Sequence, residues 1–142
     1  MERNDNQDIE IVVAIMFDPA NRLLAVRKKG SIYYQLPGGK IRANETELAA
    51  LQRELKEELG VDLPAEDFRF ITTEKAEAVN EKGRRVRGHV FRYTSRAEVA
   101  QIQALAEIEE VQWIRQDQWE TWDLANLLRK VVPSQWSGFQ GL

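Results

Sequence analysis

Cysteine is absent from this 142-residue chain, and histidine occurs once, at position 89. The first absence excludes disulfides, thiolate zinc sites and a cysteine nucleophile. The second makes a two-histidine metal site or a His-based catalytic triad hard to build. Basic charge is not in excess: the net charge is -3. That gives no overall footprint for a polyanion, so a long nucleic acid is not an expected ligand, although local basic patches can still form. Long apolar runs are missing too. The chain opens on the polar "MERNDNQD", and the "IVVAIMF" after it is seven residues long. This suits neither a signal peptide nor a membrane span. The expectation is a cytoplasmic protein with no membrane partner. No repeat or low-complexity stretch occurs, and only "PSQWSGFQGL", from Pro133 onward, reads as a tail.

What is present suits one globular domain over residues 1–142. Hydrophobic residues make up 43% and charged residues 30%, close to globular averages, and the length allows one real core. Ile9 to Phe17 is a nearly continuous apolar, β-branched run that predicts a buried strand, ended by the turn-forming "DPAN". Arg22 to Lys28 predicts a second strand, antiparallel to the first. A glycine-bounded loop, "KGSIYYQLPGGK", leads to "NETELAALQRELKEELG", where Leu48, Leu51, Leu55 and Leu59 recur at helical spacing. Asn44 and Glu47 read as a capping box and Gly60 as the helix stop. "FRFITTEKAEAV" and "RRVRGHVFRYTS" flank "NEKG" as a hairpin, "EEVQWI" is a further strand, and "WDLANLLRKVV" a closing amphipathic helix. The order implies an α/β (α+β) domain with helices covering a mixed sheet.

The segment "RELKEELG" crowds Glu54, Glu57 and Glu58 at i, i+3 and i+4 of the expected helix. Like charges at that spacing repel. Glu54 and Glu58 fall beside the leucine stripe, near the buried edge, where unpaired carboxylates are expensive. Clustered carboxylates behind a glycine loop suit a hard divalent cation that shares its shell with phosphates.

From Gly39 to Val61 the chain follows the pattern G-x5-E-x7-R-E-U-x-E-E-x-G-U, where U is a bulky aliphatic, through Gly39, Glu45, Arg53, Glu54, Leu55, Glu57, Glu58, Gly60 and Val61. This resembles the Nudix box. At average residue usage such a match arises by chance on the order of once in 10⁹ starting points. The resemblance implies the Nudix fold, a mixed β-sheet sandwiched between helices, and hydrolysis of a nucleoside diphosphate linked to some group X. It implies Mg²⁺, with Mn²⁺ as a substitute, held by Glu54, Glu57, Glu58 and a backbone carbonyl at Gly38. Arg53 and Glu45 are implied as a pair that keeps the glutamates oriented. Lys40 matches the phosphate-side lysine of "PGGK" forms of the box, with Arg27 as a second phosphate ligand. Arg84, Arg85 and Arg87 read as a solvated strand edge. The proton acceptor is a box glutamate or a later acid; Glu107 resembles the acid preceding the last strand in the family, with Glu98 as competitor.

Substrate choice lies outside the box. Residues 65–85 contain neither the proline of ADP-ribose-specific groups nor the tyrosine of dinucleoside-polyphosphate groups. The resemblance therefore leans toward MutT-like hydrolysis of nucleoside triphosphates, oxidised ones among them, to monophosphate and pyrophosphate. The alternatives are a nucleotide sugar, dinucleoside polyphosphate, ADP-ribose or capped RNA, or a binding module without catalysis. A small-molecule nucleotide derivative is thus the expected partner. Asn126 resembles the base-reading asparagine of some members, while Tyr34, Trp119 and Trp122 are candidate stacking platforms, with core packing as the competing role. Trp136 and Phe139 suggest a dimer contact, and the chain is expected as monomer or homodimer. Ala43 and Asn44 stand where many members have Pro-Gly, so the loop before the helix is expected to differ.

Overall fold

The computed structural model describes residues 8–139. Residues 1–7 of the polar opening and 140–142 of the tail lie outside them. β1 (Ile9–Ile15) is central and apolar on both faces, as its continuous hydrophobic run demands. Val13 and Ile15 point into one core, and Val12, Ala14 and Met16 into another. β1 pairs antiparallel with β4 (Gly38–Lys40) and parallel with β6 (Arg85–Tyr93), which pairs antiparallel with β5 (Phe68–Glu77). A second sheet places β2 (Leu23–Lys28) between β3 (Tyr34–Gln35) and β7 (Ile108–Ile114).

The expected β1–β2 hairpin is corrected: the strands meet only at a bridge between Phe17 and Leu23 and at the Leu24 N–H to Met16 carbonyl bond, 2.9 Å, and then enter different sheets. The turn is held by the Asp18 carboxylate, which accepts from the Ala20 and Arg22 amides and from Arg22 Nε. Beyond it β2 divides its side chains between the two cores, Leu23 and Ala25 against Leu24 and Val26. Each strand can thus be central in its own sheet.

α1 (Glu47–Leu59) covers one core with Leu51, Leu55 and Leu59, all fully buried. Its N-cap is Thr46, whose side chain accepts from the Ala49 amide at 3.1 Å, rather than the expected Asn44 with Glu47. Asn44 instead takes φ 70°, a left-handed conformation that asparagine tolerates, at the position where many Nudix boxes have glycine. Glu47 approaches His89 Nδ1 at 3.3 Å. Gly60 ends the helix as expected, with φ 75° and its N–H bonded to the Lys56 carbonyl.

The closing helix is shorter than predicted. α2 spans Asn126–Val131 and covers the other core with Leu127 and Leu128. The preceding residues are drawn into strand-like pairing: Tyr34 N–H donates to Asp123 and Ala125 N–H to Tyr34, each at 2.8 Å. No helix among the described residues is long and apolar enough to cross a membrane.

Candidate metal and phosphate site

The leucine stripe of α1 sets the acids' direction, and Gly38 and Gly39 of β4 set the depth to which they approach. Glu58 is 2% exposed. Its Oε1 accepts the Gly38 amide at 3.3 Å, and its buried Oε2 has no partner among the described residues. Burial first, then the neighbouring Glu54 charge, push its pKa up to about 8. The Glu54 carboxylate packs so closely on Gly39 that a Cβ there would stand 2.4 Å from its Oε2. Glu57 faces outward and is half exposed, 3.5 Å from Arg53 and 3.9 Å from Arg42.

Arg53 ties these parts together. Its Nε and one terminal nitrogen grip the Glu45 carboxylate at 2.6 and 2.9 Å, and that nitrogen also reaches the Lys40 carbonyl at 3.0 Å. Its other terminal nitrogen meets Glu54 Oε2 at 3.1 Å. The guanidinium thus joins the loop to the acid. Hydrogen bonds from Arg53, then from the Arg42 amide, lower the Glu45 pKa to about 2. The carboxylate is charged throughout the neutral range, and the brace weakens only as pH falls through that value. Glu45→Gln is expected to lower turnover about 10- to 100-fold with a fall of only a few degrees in melting temperature, because the fork loses its charged partner while the core is untouched. Steady-state kinetics beside a melting curve checks this.

The donor set fits a hard cation. Among the described residues no three carboxylates or imidazoles converge as a complete cage, but Mg²⁺ usually keeps several waters and takes one or two carboxylates plus substrate phosphates. The partnerless buried Oε2 of Glu58, with Glu54 beside it at the glycine loop, meets that need. The Gly38 amide meets Glu58, and Gly39 meets the Glu54 carboxylate.

A cleft of about 290 Å³ opens from the same loop. Gly38, Gly39 and Lys40 form one end, Ile11, Val13 and Leu127 an apolar floor, and Lys28, Gln35, Asn80 and Asn126 its polar lining. Asn126 donates to the Glu77 carbonyl at 2.9 Å. Lys28 sits 3.5 Å from the exposed Glu107, and the charges of both bear on Glu58. The structure thus brings Glu107 to the box. Glu98 instead bonds Gln101.

Other sequence-predicted residues lie apart. Arg27, Tyr34 and Trp122 gather around Glu110 and do not line the cleft: Arg27 donates to Glu110 at 3.0 Å, Tyr34 hydroxyl at 2.7 Å, and Trp122 packs edge-on against Tyr34 at 5.0 Å. Trp119 and Trp136 are core residues, 7% and 3% exposed, and Phe139 packs on both. The dimer contact suggested for Trp136 is therefore corrected, since its indole is buried in its own fold and donates to the Asn21 carbonyl at 2.8 Å. Arg85 and Arg87 pair with Asp8 and Glu10. Sequence reasoning missed Lys28, Gln35 and Asn80. Lys28 ends β2 beyond its apolar run, at the register shift where Glu109 of β7 is skipped, so hydrophobic alternation does not mark it.

Residues 9–135 match the family described as NUDIX domain. A curated relative from Mycobacterium tuberculosis, "Putative 8-oxo-dGTP diphosphatase 2", is 63% identical over 30 residues, a match spanning 21% of this chain and 21% of that protein. Among solved structures, one from work on MutT of Aliivibrio salmonicida and Vibrio cholerae has TM-score 0.68 at 19% identity, covering 90% of this chain and 96% of the other. The E. coli dihydroneopterin triphosphate pyrophosphohydrolase has TM-score 0.63 at 19% identity, covering 80% and 84%. At these identities the structural likeness speaks for the fold, and the family match over nearly the whole described chain agrees with the glycine loop, the braced glutamates and their order along α1. The chain belongs to the Nudix family.

Proposed function

We propose that this chain is a divalent-metal-dependent pyrophosphohydrolase of nucleoside triphosphates, oxidised ones among them, releasing a monophosphate and pyrophosphate. The observation that carries the reading is the cleft of about 290 Å³ running from β4 (Gly38–Lys40), against whose glycines Glu58 and Glu54 pack, to Asn126. Its volume and apolar floor suit a base and sugar, with the phosphates at the glycine end. The names of the mycobacterial relative and of the dihydroneopterin triphosphate enzyme support a triphosphate substrate.

Glu54 and Glu58, with the Gly38 carbonyl and Glu57 further out, would hold Mg²⁺ or Mn²⁺. When bound, the ion supplies neutralisation of phosphate charge and activation of water. Lys28 and Lys40 hold the phosphate oxygens, and Arg53 with Glu45 keeps Glu54 turned to the loop. Glu107, exposed and paired only with Lys28 among the described side chains, accepts the proton of the attacking water. Asn126 gives its amide N–H to the Glu77 carbonyl and leaves its Oδ1 to accept from a base edge.

The test is kcat/KM on a panel of ordinary and oxidised triphosphates, nucleotide sugars, ADP-ribose, dinucleoside polyphosphates and capped RNA, with products resolved chromatographically. Triphosphates are expected to lead, and Asn126→Ala to narrow the spread between bases by about tenfold, one hydrogen bond's worth. Preference for another diphosphate, seen in its different fragments, would overturn the substrate assignment.

A further inference from the structure

Away from the cleft, the pairing of β5 with β6 sets Arg69 directly opposite Arg92. Like charges in that relation are destabilising. Arg96, just past β6, adds a third: the guanidinium carbons of Arg92 and Arg96 stand 5.0 and 5.8 Å from the ring centre of Phe17. Phe17 is 1% exposed, so these charges rest on apolar core, where water screens them less. Burial, then repulsion from Arg96 and Arg69, hold the Arg92 pKa below its usual value.

Among the described residues only neutral acceptors meet Arg92 and Arg96. Arg92 donates to the Gln135 carbonyl and, at 3.4 Å, to its side-chain oxygen, and Arg96 donates to the Asp18 carbonyl at 3.3 Å. The Asp18 carboxylate is already committed to Arg22 and to the Ala20 and Arg22 amides. Arg22, Arg27, Arg53, Arg87 and Arg115 each have a carboxylate partner. Among the described residues Arg69, Arg92 and Arg96 have none.

We propose that Arg69, Arg92 and Arg96 form a second anion site, outside the catalytic cleft, for a small phosphate polyanion such as pyrophosphate. Guanidinium forks match phosphate oxygens in pairs, and three uncompensated positive charges call for a ligand with more than one negative charge. The residues come from two adjacent strands and the turn after β6, a span suited to one small ion rather than a polymer. Arg69 and Arg96 are exposed, which leaves the site open to solvent. None of the three lines the cleft, so occupancy does not depend on the substrate reading.

The experiment is thermal melting of the full-length protein in chelator, with millimolar sodium pyrophosphate against sodium chloride at matched ionic strength. Wild type, Glu58→Gln, Lys40→Gln and the Arg69→Gln/Arg96→Gln double variant are compared, both arginines being exposed so that folding is spared. Pyrophosphate is expected to raise the melting temperature of wild type and Glu58→Gln by about 3 °C or more. The double variant should melt no lower than wild type without the anion, since repulsion is relieved, should lose most of the shift, and should keep wild-type turnover. No shift beyond the chloride control, or the same shift in the double variant, would overturn the proposal. A shift lost in Lys40→Gln but kept in the double variant would also overturn it, by placing the anion in the cleft.

Discussion

Replacing Glu58 by Gln is expected to lower turnover by about 10³-fold, on the order of 4 kcal/mol of transition-state stabilisation, and at the same time to make the metal-free protein increasingly more stable than wild type as pH rises from the unfolded glutamate pKa toward that of the folded carboxyl. Both effects have one origin. The Glu58 carboxyl is buried, one of its oxygens is unpartnered, and its pKa is raised to about 8. In the unfolded chain a glutamate ionises near pH 4.3. As pH rises from there toward 8 the unfolded state loses a proton that the fold retains, so the residue subtracts stability over that window and by a constant amount above it. The amide never ionises and escapes this. The difference amounts to roughly 2–4 kcal/mol, or about 5–10 °C for a domain of this size. Melting in chelator at pH 5 and pH 8.5 checks it. The variant should gain over wild type much more at the higher pH than at the lower. A gain independent of pH, or full activity in the variant, would remove Glu58 from the role assigned to it.

The adjacent glycines are expected to fail in different ways. A Cβ at Gly38, whose φ is 143°, would lie 2.0 Å from the Val12 carbonyl oxygen and 2.8 Å from the Val13 Cα. These are backbone atoms of a central strand and cannot move aside cheaply. Gly38→Ala should therefore cost about 3 kcal/mol or more, read as a large fall in melting temperature or in soluble yield. At Gly39 the obstructing atoms are the Glu54 carboxylate, the end of a flexible side chain. Gly39→Ala should fold, melt within a few degrees of wild type, and lose about 100-fold or more in turnover because Glu54 is pushed from the loop. Normal turnover in Gly39→Ala would contradict the close approach on which the site depends.

Much of this site was legible because a helix enforces its own geometry. Leu51, Leu55 and Leu59 set the buried face of α1, Gly60 set its end, and Glu54 and Glu58 then had to lie at the buried edge; the structure places them there. β1 was legible for a similar reason, since a strand apolar on both faces must be central. Pairing partners were less accessible. Nothing in Leu23 to Lys28 says that β2 leaves β1 for β7, a choice made by how both strands divide their side chains between two cores. Leu124 and Ala125 fit the helical pattern but are drawn to Tyr34 by backbone hydrogen bonds from a distant part of the chain. The aromatics divided on the same principle. Trp119 and Trp136 obey core packing, and the polar lining of the cleft is instead supplied by Lys28, Gln35, Asn80 and Asn126.

The most direct test of the central claim, that the braced carboxylates at the glycine loop make a metal-dependent pyrophosphohydrolase site, is a chromatographic time course of one nucleoside triphosphate with Mg²⁺ and with chelator. The account predicts equal amounts of monophosphate and pyrophosphate with Mg²⁺ and neither in chelator. Stepwise release of orthophosphate, or hydrolysis undiminished by chelator, would contradict it.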